Sequence, residues 1–134
     1  RLDPNTQKRV TVENDDKGSM WSTKHLFDYI HSDIGIPIVF DYHHYKFCTG
    51  GQTEQEALEL AMSTWPDGVT PVVHYSQSRA EEHNDPKIRP QAHSDSYWAA
   101  PNLYGHDLYV MCECKHKEQG VFALLELMKN KAVA

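Results

Sequence analysis

Four short apolar runs in this chain each close on a side chain that can hold a metal ion, and the closing residues recur one strand-plus-helix unit apart. Arg9 to Glu13 (RVTVE), Ile36 to Asp41 (IPIVFD), Pro71 to His74 (PVVH) and Leu108 to Glu113 (LYVMCE) read as β-strands. Their last residues, Glu13, Asp41, His74 and Glu113, stand 28, 33 and 39 positions apart. That spacing suits βα units, and strands this apolar suit a parallel sheet covered by helices. Polar residues at the C-terminal ends of successive strands lie where βα barrels carry their chemistry. The expected fold is α/β, a partial TIM (βα)8 barrel of about four C-terminal βα units.

Strand side chains alternate between faces, so parity tests whether these polar residues can converge. Thr11 and Glu13 share one face of the first strand, with Val10 and Val12 on the other. Val39 goes with Asp41, opposite Ile38 and Phe40; Val72 goes with His74, opposite Val73. On the last strand Met111, Glu113 and Lys115 lie together, opposite Cys112 and Cys114. Each outward set is apolar and ready to meet a helix, while each inward set ends on a ligand.

A complete (βα)8 barrel takes roughly 250 residues, against 134 here. The chain opens on Arg1, in RLDPNTQKR, which reads as a helix end and loop entering a strand. Residues 1–134 are therefore expected to be one domain and a fragment, with the N-terminal half of the barrel lying outside it. The alternative is a half-barrel that completes itself by pairing. The net charge of −6 gives none of the basic footprint usual in nucleic-acid binders, although ligand carboxylates account for part of the excess. Three cysteines, Cys48, Cys112 and Cys114, make no disulfide framework and favour a reducing compartment. The expected location is intracellular, cytoplasmic in a bacterium or nuclear or mitochondrial in a eukaryote. No run approaches the ~18 apolar residues of a membrane span, so no membrane partner is expected.

Between the strands, Ser22 to His31 carries Leu26, Phe27 and Ile30 at helical spacing, with Ser22 as N-cap. Thr53 to Glu56 is a capping box opening a helix through Ala57, Leu58, Leu60, Ala61 and Met62. Trp65 to Gly68 then turns the chain toward the third strand. A last helix is expected from about Glu118 to Lys129, burying Phe122, Leu125 and Met128. Ser76 to Gly105 breaks the rhythm: it is polar, holds Pro86, Pro90 and Pro101, and shows no sustained periodicity. Loops of that length in a compact domain are functional or disordered. This one follows a strand and is expected to contact substrate.

Crowded carboxylates repel and protonate unless cations neutralise them. Glu13, Asp41, His74 and Glu113 at one barrel mouth therefore suit divalent metal, with Zn, Mn and Fe(II) all compatible with mixed carboxylate and imidazole ligation. Paired ions of this kind activate a water and stabilise the leaving oxygen of a phosphodiester. A single Glu or Asp at a strand end is ordinary surface; four in register are not. His43, His44 and His93 add imidazoles just past the strand ends. His25, His31, His83, His106 and His116 read as common helix or loop residues. The outward parity of Cys112 and Cys114 assigns them to packing, and Trp65 and Trp98 read the same way.

The local words TVENDDK (Thr11 to Lys17), GIPIVFDYHH (Gly35 to His44), VHYS (Val73 to Ser76), AHSD (Ala92 to Asp95) and MCECKHK (Met111 to Lys117) closely resemble the C-terminal half of UV-damage endonucleases. The likeness runs in order over almost the whole chain, and Glu56 to Trp65 adds to it. The resemblance implies a TIM barrel related to endonuclease IV that holds three divalent metals, commonly Mn2+, with Zn2+ or other ions as alternatives. It implies that Glu13 bridges metals, that Asp41 and His44 bind beside it, and that His74, His93 and Glu113 complete this part of the cluster. Glu13 and Glu113 would then be catalytic, and Lys115 would contact phosphate or pair with Glu113. One departure stands out: the family often has a metal-binding Lys two residues before the third-strand His, and that position here is Val72. The third metal would then have fewer protein ligands, or a rebuilt site.

The function this resemblance implies is metal-dependent DNA repair, nicking UV-damaged double-stranded DNA 5′ to the photoproduct, with activity requiring the N-terminal half. A metal-dependent sugar isomerase on a similar barrel can share such ligands, and a non-catalytic half-barrel interaction module is a third class. ENDDK and AHSD favour the nuclease, and intact ligands argue against the module.

Overall fold

The alternation of apolar strands and amphipathic segments produces a four-stranded parallel sheet in the order β1-β2-β3-β4. The strands are β1 (Val12–Glu13), β2 (Ile38–Asp41), β3 (Val72–Tyr75) and β4 (Tyr109–Cys112). The structure is a computed structural model that describes residues 2–133, with side chains described for 2–132. Three of the strands are shorter than their apolar runs, β3 has the same length shifted by one residue, and all four end within one residue of the expected positions. Among the described residues the sheet is open, β1 and β4 each pairing with one neighbour.

Among the described residues, eight helical segments accompany it. They are α1 (Pro4–Gln7), α2 (Thr23–Leu26), a π-helical turn at Phe27–His31, α3 (Ser32–Ile34), α4 (Tyr42–Tyr45), α5 (Glu54–Met62), α6 (Arg79–His83) and α7 (Glu118–Val133). Ser22 caps α2 as expected, its Oγ accepting from the His25 N–H. The helical path then runs past His31 to Ile34 and stops at Gly35, whose φ of 70° suits glycine at a helix C-terminus. The capping box at Thr53 and Glu56 forms with both reciprocal bonds. Replacing such a cap costs about 1 kcal/mol.

Parity predicts the core correctly. Ile38, Phe40 and Val73 on the outward face are buried against Leu26, Ala57, Leu58, Ala61 and Leu124, with Val12, Val110, Cys112 and Cys114 packed at the margin. Complete burial of a side chain such as Leu58 or Phe40 contributes roughly 1.5–3 kcal/mol. The other face is less covered: Tyr109 is 66% and Met111 52% exposed.

Two expectations need correction. The last helix does not bury Phe122 and Leu125, which are 65% and 45% exposed; Leu124 is buried instead, with Leu127 and Met128 partly so. The run VFALLELM offers more than one apolar stripe, and the contact of Gly120 with Cys114 selects the one through Gly120 and Leu124. The segment from Ser76 to Gly105 is also more built than its composition suggests. It contains α6, capped by Ser78, and a bridge between Ser78 and His93. No described helix is long and apolar enough to cross a membrane.

Candidate metal centre

Strand pairing does the first part of the assembly. Asp41 and His74 are direct register partners on β2 and β3, so a carboxylate and an imidazole stand side by side on one face. Glu13 pairs with Val39, two residues before Asp41 on the same face. Glu113 lies just past β4, where its backbone N–H donates to the Tyr75 carbonyl at 3.0 Å.

All six residues expected as ligands meet in one continuous network. Glu13 sits at its centre: Oε1 is 3.1 Å from His44 Nδ1, and Oε2 is 3.2 Å from His74 Nδ1. His74 Nδ1 also lies 3.6 Å from Glu113 Oε1, and Glu113 Oε2 lies 3.8 Å from His93 Nδ1. His44 Nδ1 is 3.9 Å from Asp41 Oδ2. Ligand atoms of Glu13, Asp41 and His74 all fall within 4.8 Å of one another.

Asp41 divides its carboxylate between two tasks. Its Oδ1 caps α4, accepting the N–H groups of His43 and His44 at 2.7 and 2.8 Å. That cap brings His44 back over the strand ends. Its Oδ2 is buried with no hydrogen-bond partner, as is His74 Nδ1. Buried polar atoms normally have hydrogen-bond partners; Asp41 Oδ2 has none, and His74 Nδ1 meets carboxylates only as ion-pair contacts, which is what a cation-binding site presents.

Burial raises the Asp41 pKa to about 6, against hydrogen bonding at His44 and with the Glu13 charge adding to the rise. Burial pushes Glu13 the same way, but His44 and His74 outweigh it and hold Glu13 below the usual carboxylate range. His44 resists desolvation through Glu13 and Asp41 and is raised to about 9. Contact with Glu13 also raises His74, against partial burial. The raised imidazoles and the lowered Glu13 carboxylate stabilise one another's charges.

Asn14 is a site residue that the sequence reading missed. It is fully buried beside Glu13, and its side chain makes paired hydrogen bonds with the backbone of Asp41. Its own carbonyl accepts from His44 Nδ1 at 2.8 Å, fixing that ring. Its position directly after Glu13 was the available signal, but Asn more often marks a turn.

His43 is completely buried behind His93, with ring centroids 5.9 Å apart, and packs edge-on against Phe47. Neither of its ring nitrogens has a hydrogen-bond partner. Burial lowers its pKa to about 4. Lys115 is exposed and makes no ion pair with Glu113; its backbone N–H donates to Ser94. Val72 shares the His74 face and adds only hydrocarbon. Trp65 packs inward and donates from Nε1 to the Ile38 carbonyl, whereas Trp98 is 44% exposed.

With this geometry established, the likeness to known proteins is informative. The family described as UV-endonuclease UvdE matches residues 1–134. The UV DNA damage endonuclease of Halalkalibacterium halodurans is 30% identical over 127 residues, covering 92% of this chain and 38% of that protein. The UV-damage endonuclease of Neurospora crassa is 30% identical over 142 residues, covering 96% of this chain and 20% of that one. A solved structure described as that of SacUVDE superposes with a TM-score of 0.77 at 27% identity, over 98% of this chain and 43% of its own. The chain thus spans about two fifths or less of the length of these relatives.

Proposed function

Because the chain belongs to the UV-endonuclease UvdE family, we propose that its six-residue network is a divalent-metal platform for nicking UV-damaged DNA 5′ to the photoproduct. The observation that carries this reading is the Glu13 carboxylate, whose two oxygens each face a different imidazole. A carboxylate presented on both sides in this way is suited to bridge two cations.

The donor set fits such ions. Three carboxylates and three imidazoles converge, and Asp41 Oδ2 and His74 Nδ1 stand buried without hydrogen-bond partners. Glu13, Asp41, His44, His74, His93 and Glu113 would hold the metals, with Mn2+ favoured and Zn2+ compatible with the same donors. When bound, such ions lower the pKa of a water and stabilise attacking and leaving oxygens of a phosphodiester. The chain's own part is positional. Asp41 keeps one oxygen for the helix cap and the other for the cleft, while Asn14 orients His44. Val72 adds no donor, so β3 contributes His74 alone.

The open sheet, with Tyr109 and Met111 exposed on the ligand-bearing face, supports its being part of a (βα)8 barrel completed by further chain. Residues 1–134 would then be the C-terminal half of that barrel. The substrate would be double-stranded DNA with the damaged nucleotides extruded, since unstacking costs least at a lesion. Lys115, exposed and two residues past Glu113, would be the cation that meets a phosphate.

Grafting this chain in place of the matching segment of a UV DNA damage endonuclease tests the reading. The chimera should nick irradiated plasmid only with added divalent metal, and Glu13→Gln should abolish nicking. A folded, metal-binding chimera that leaves irradiated plasmid intact would overturn it.

A further inference from the structure

A second group of potential ligands lies beside the first: Glu82, His83 and Asp95 bring ligand atoms within 4.8 Å of one another. Their hydrogen bonds assign them a different task. Glu82 Oε2 accepts the Asp95 N–H at 2.6 Å, and its Oε1 accepts the Ser96 N–H at 3.0 Å. Asp95 Oδ2 meets His83 Nε2 at 2.7 Å, and Oδ1 lies 3.4 Å from Arg79 Nε. Three of the four carboxylate oxygens of the group take part in hydrogen bonds and the fourth, Asp95 Oδ1, faces the Arg79 guanidinium, which makes the group a clamp rather than a cation site.

What the clamp grips is the segment joining two ligands of the centre. Residues on either side of His93 are tied to the end of β3 and the start of α6: Arg79 N–H donates to the Ala92 carbonyl, and Ser94 N–H donates to Gln77, both at 2.8 Å. The following carbonyls face the other way. Ser94 O accepts from Lys115 N–H at 3.0 Å, and Asp95 O accepts from His116 N–H at 2.9 Å. Ser94, fully buried, closes the turn through its hydroxyl to the Ser96 carbonyl. One short turn therefore touches the segment carrying His93 and the segment carrying Glu113, and Glu82 fastens that turn to α6.

We propose that Glu82 is a positioning residue that sets where His93 stands against Glu113. The pair is 3.8 Å apart, the longest link of the network between different strand ends, and their backbones are joined through the 94–96 turn. Glu82 touches neither side chain; it acts by holding the amides of Asp95 and Ser96. The role toward metal rests on reading the six-residue network as a metal centre, whereas the role toward the two side chains does not.

Imidazole nitrogen NMR of the metal-free chain, combined with Mn2+ titration, tests this. In the wild-type background, Glu113→Gln should shift the His93 signals; in a Glu82→Ala background that response should vanish. Mn2+ affinity at one site should fall by roughly 10–100-fold, the usual effect of losing an outer-shell partner. Glu82→Gln retains one acceptor and should restore part of both readouts. If Glu82→Ala does not fold, Glu82→Gln decides alone by a weakened response. A folded variant with the full His93 response and unchanged Mn2+ affinity would overturn the proposal. Wild-type chain that shows the His93 response but takes up no Mn2+ would support the positioning role and sink the metal reading.

Discussion

Asn14 holds the backbone of Asp41 at both ends of one peptide-like pair: its Oδ1 accepts the Asp41 N–H at 2.8 Å and its Nδ2 donates to the Asp41 carbonyl at 3.1 Å. The bond pattern continues the β1–β2 pairing one residue beyond β1 with a side chain in place of backbone. A strand end that frays would scatter Glu13, Asp41 and His44, and this clasp prevents it.

Asn14→Ala should therefore be costly. It leaves a buried N–H and C=O unpaired, each worth about 1–3 kcal/mol. A loss of roughly 2–4 kcal/mol in urea denaturation is expected, together with weaker metal binding. Stability within 0.5 kcal/mol of wild type, the range of about ±0.5 kcal/mol seen for surface changes, would show that the clasp is dispensable.

Protons and metal should compete. Asp41 must lose its proton, with a pKa raised to about 6, and His44 must lose its own at about 9, before either ligates fully. Affinity for Mn2+ should climb from pH 5.5 to 9, and calorimetry in buffers of different ionisation enthalpy should show proton release. The metal-free fold should respond in the opposite sense. The raised His44 pKa contributes stability that is full below its ordinary 6.5 and lost as pH rises through about 9. Glu13, held low, contributes stability present above its ordinary 4.5 and lost on acidification below it. A pH-independent affinity would contradict this scheme.

The exposed face of β4 should make the chain self-associate. Tyr109 and Met111 stand open beside a strand edge that is unpaired among the described residues, the arrangement that invites pairing with another chain. Size-exclusion and sedimentation measurements should find dimers or larger species, reduced by Met111→Lys. A sharp, cooperative melt of a monomer would count against an unfinished barrel.

The residues best read from sequence were those governed by period two. Once Ile38 and Phe40 are outward, Asp41 has to share a face with Val39, and the same logic fixes His74 and Glu113. Helix faces were harder. Phe122 and Leu125 fit a helical stripe as well as Leu124 does, and tertiary packing, including the close approach of Gly120 to Cys114, breaks the tie. The five-residue helix Arg79–His83 is too short to show a period. Asn14 and Glu82 were missed for another reason: both act on backbone amides and carbonyls of residues distant in sequence, which no spacing rule reports.

The most direct measurement concerns Glu13 as a bridge. Electron paramagnetic resonance of the chain titrated with Mn2+ should show the signature of magnetically coupled neighbouring ions, because one carboxylate faces both sides of the cleft. Glu13→Gln should remove that coupling and leave isolated ions or none. Isolated Mn2+ signals of equal intensity in wild type and variant, or no binding by wild type, would contradict the account.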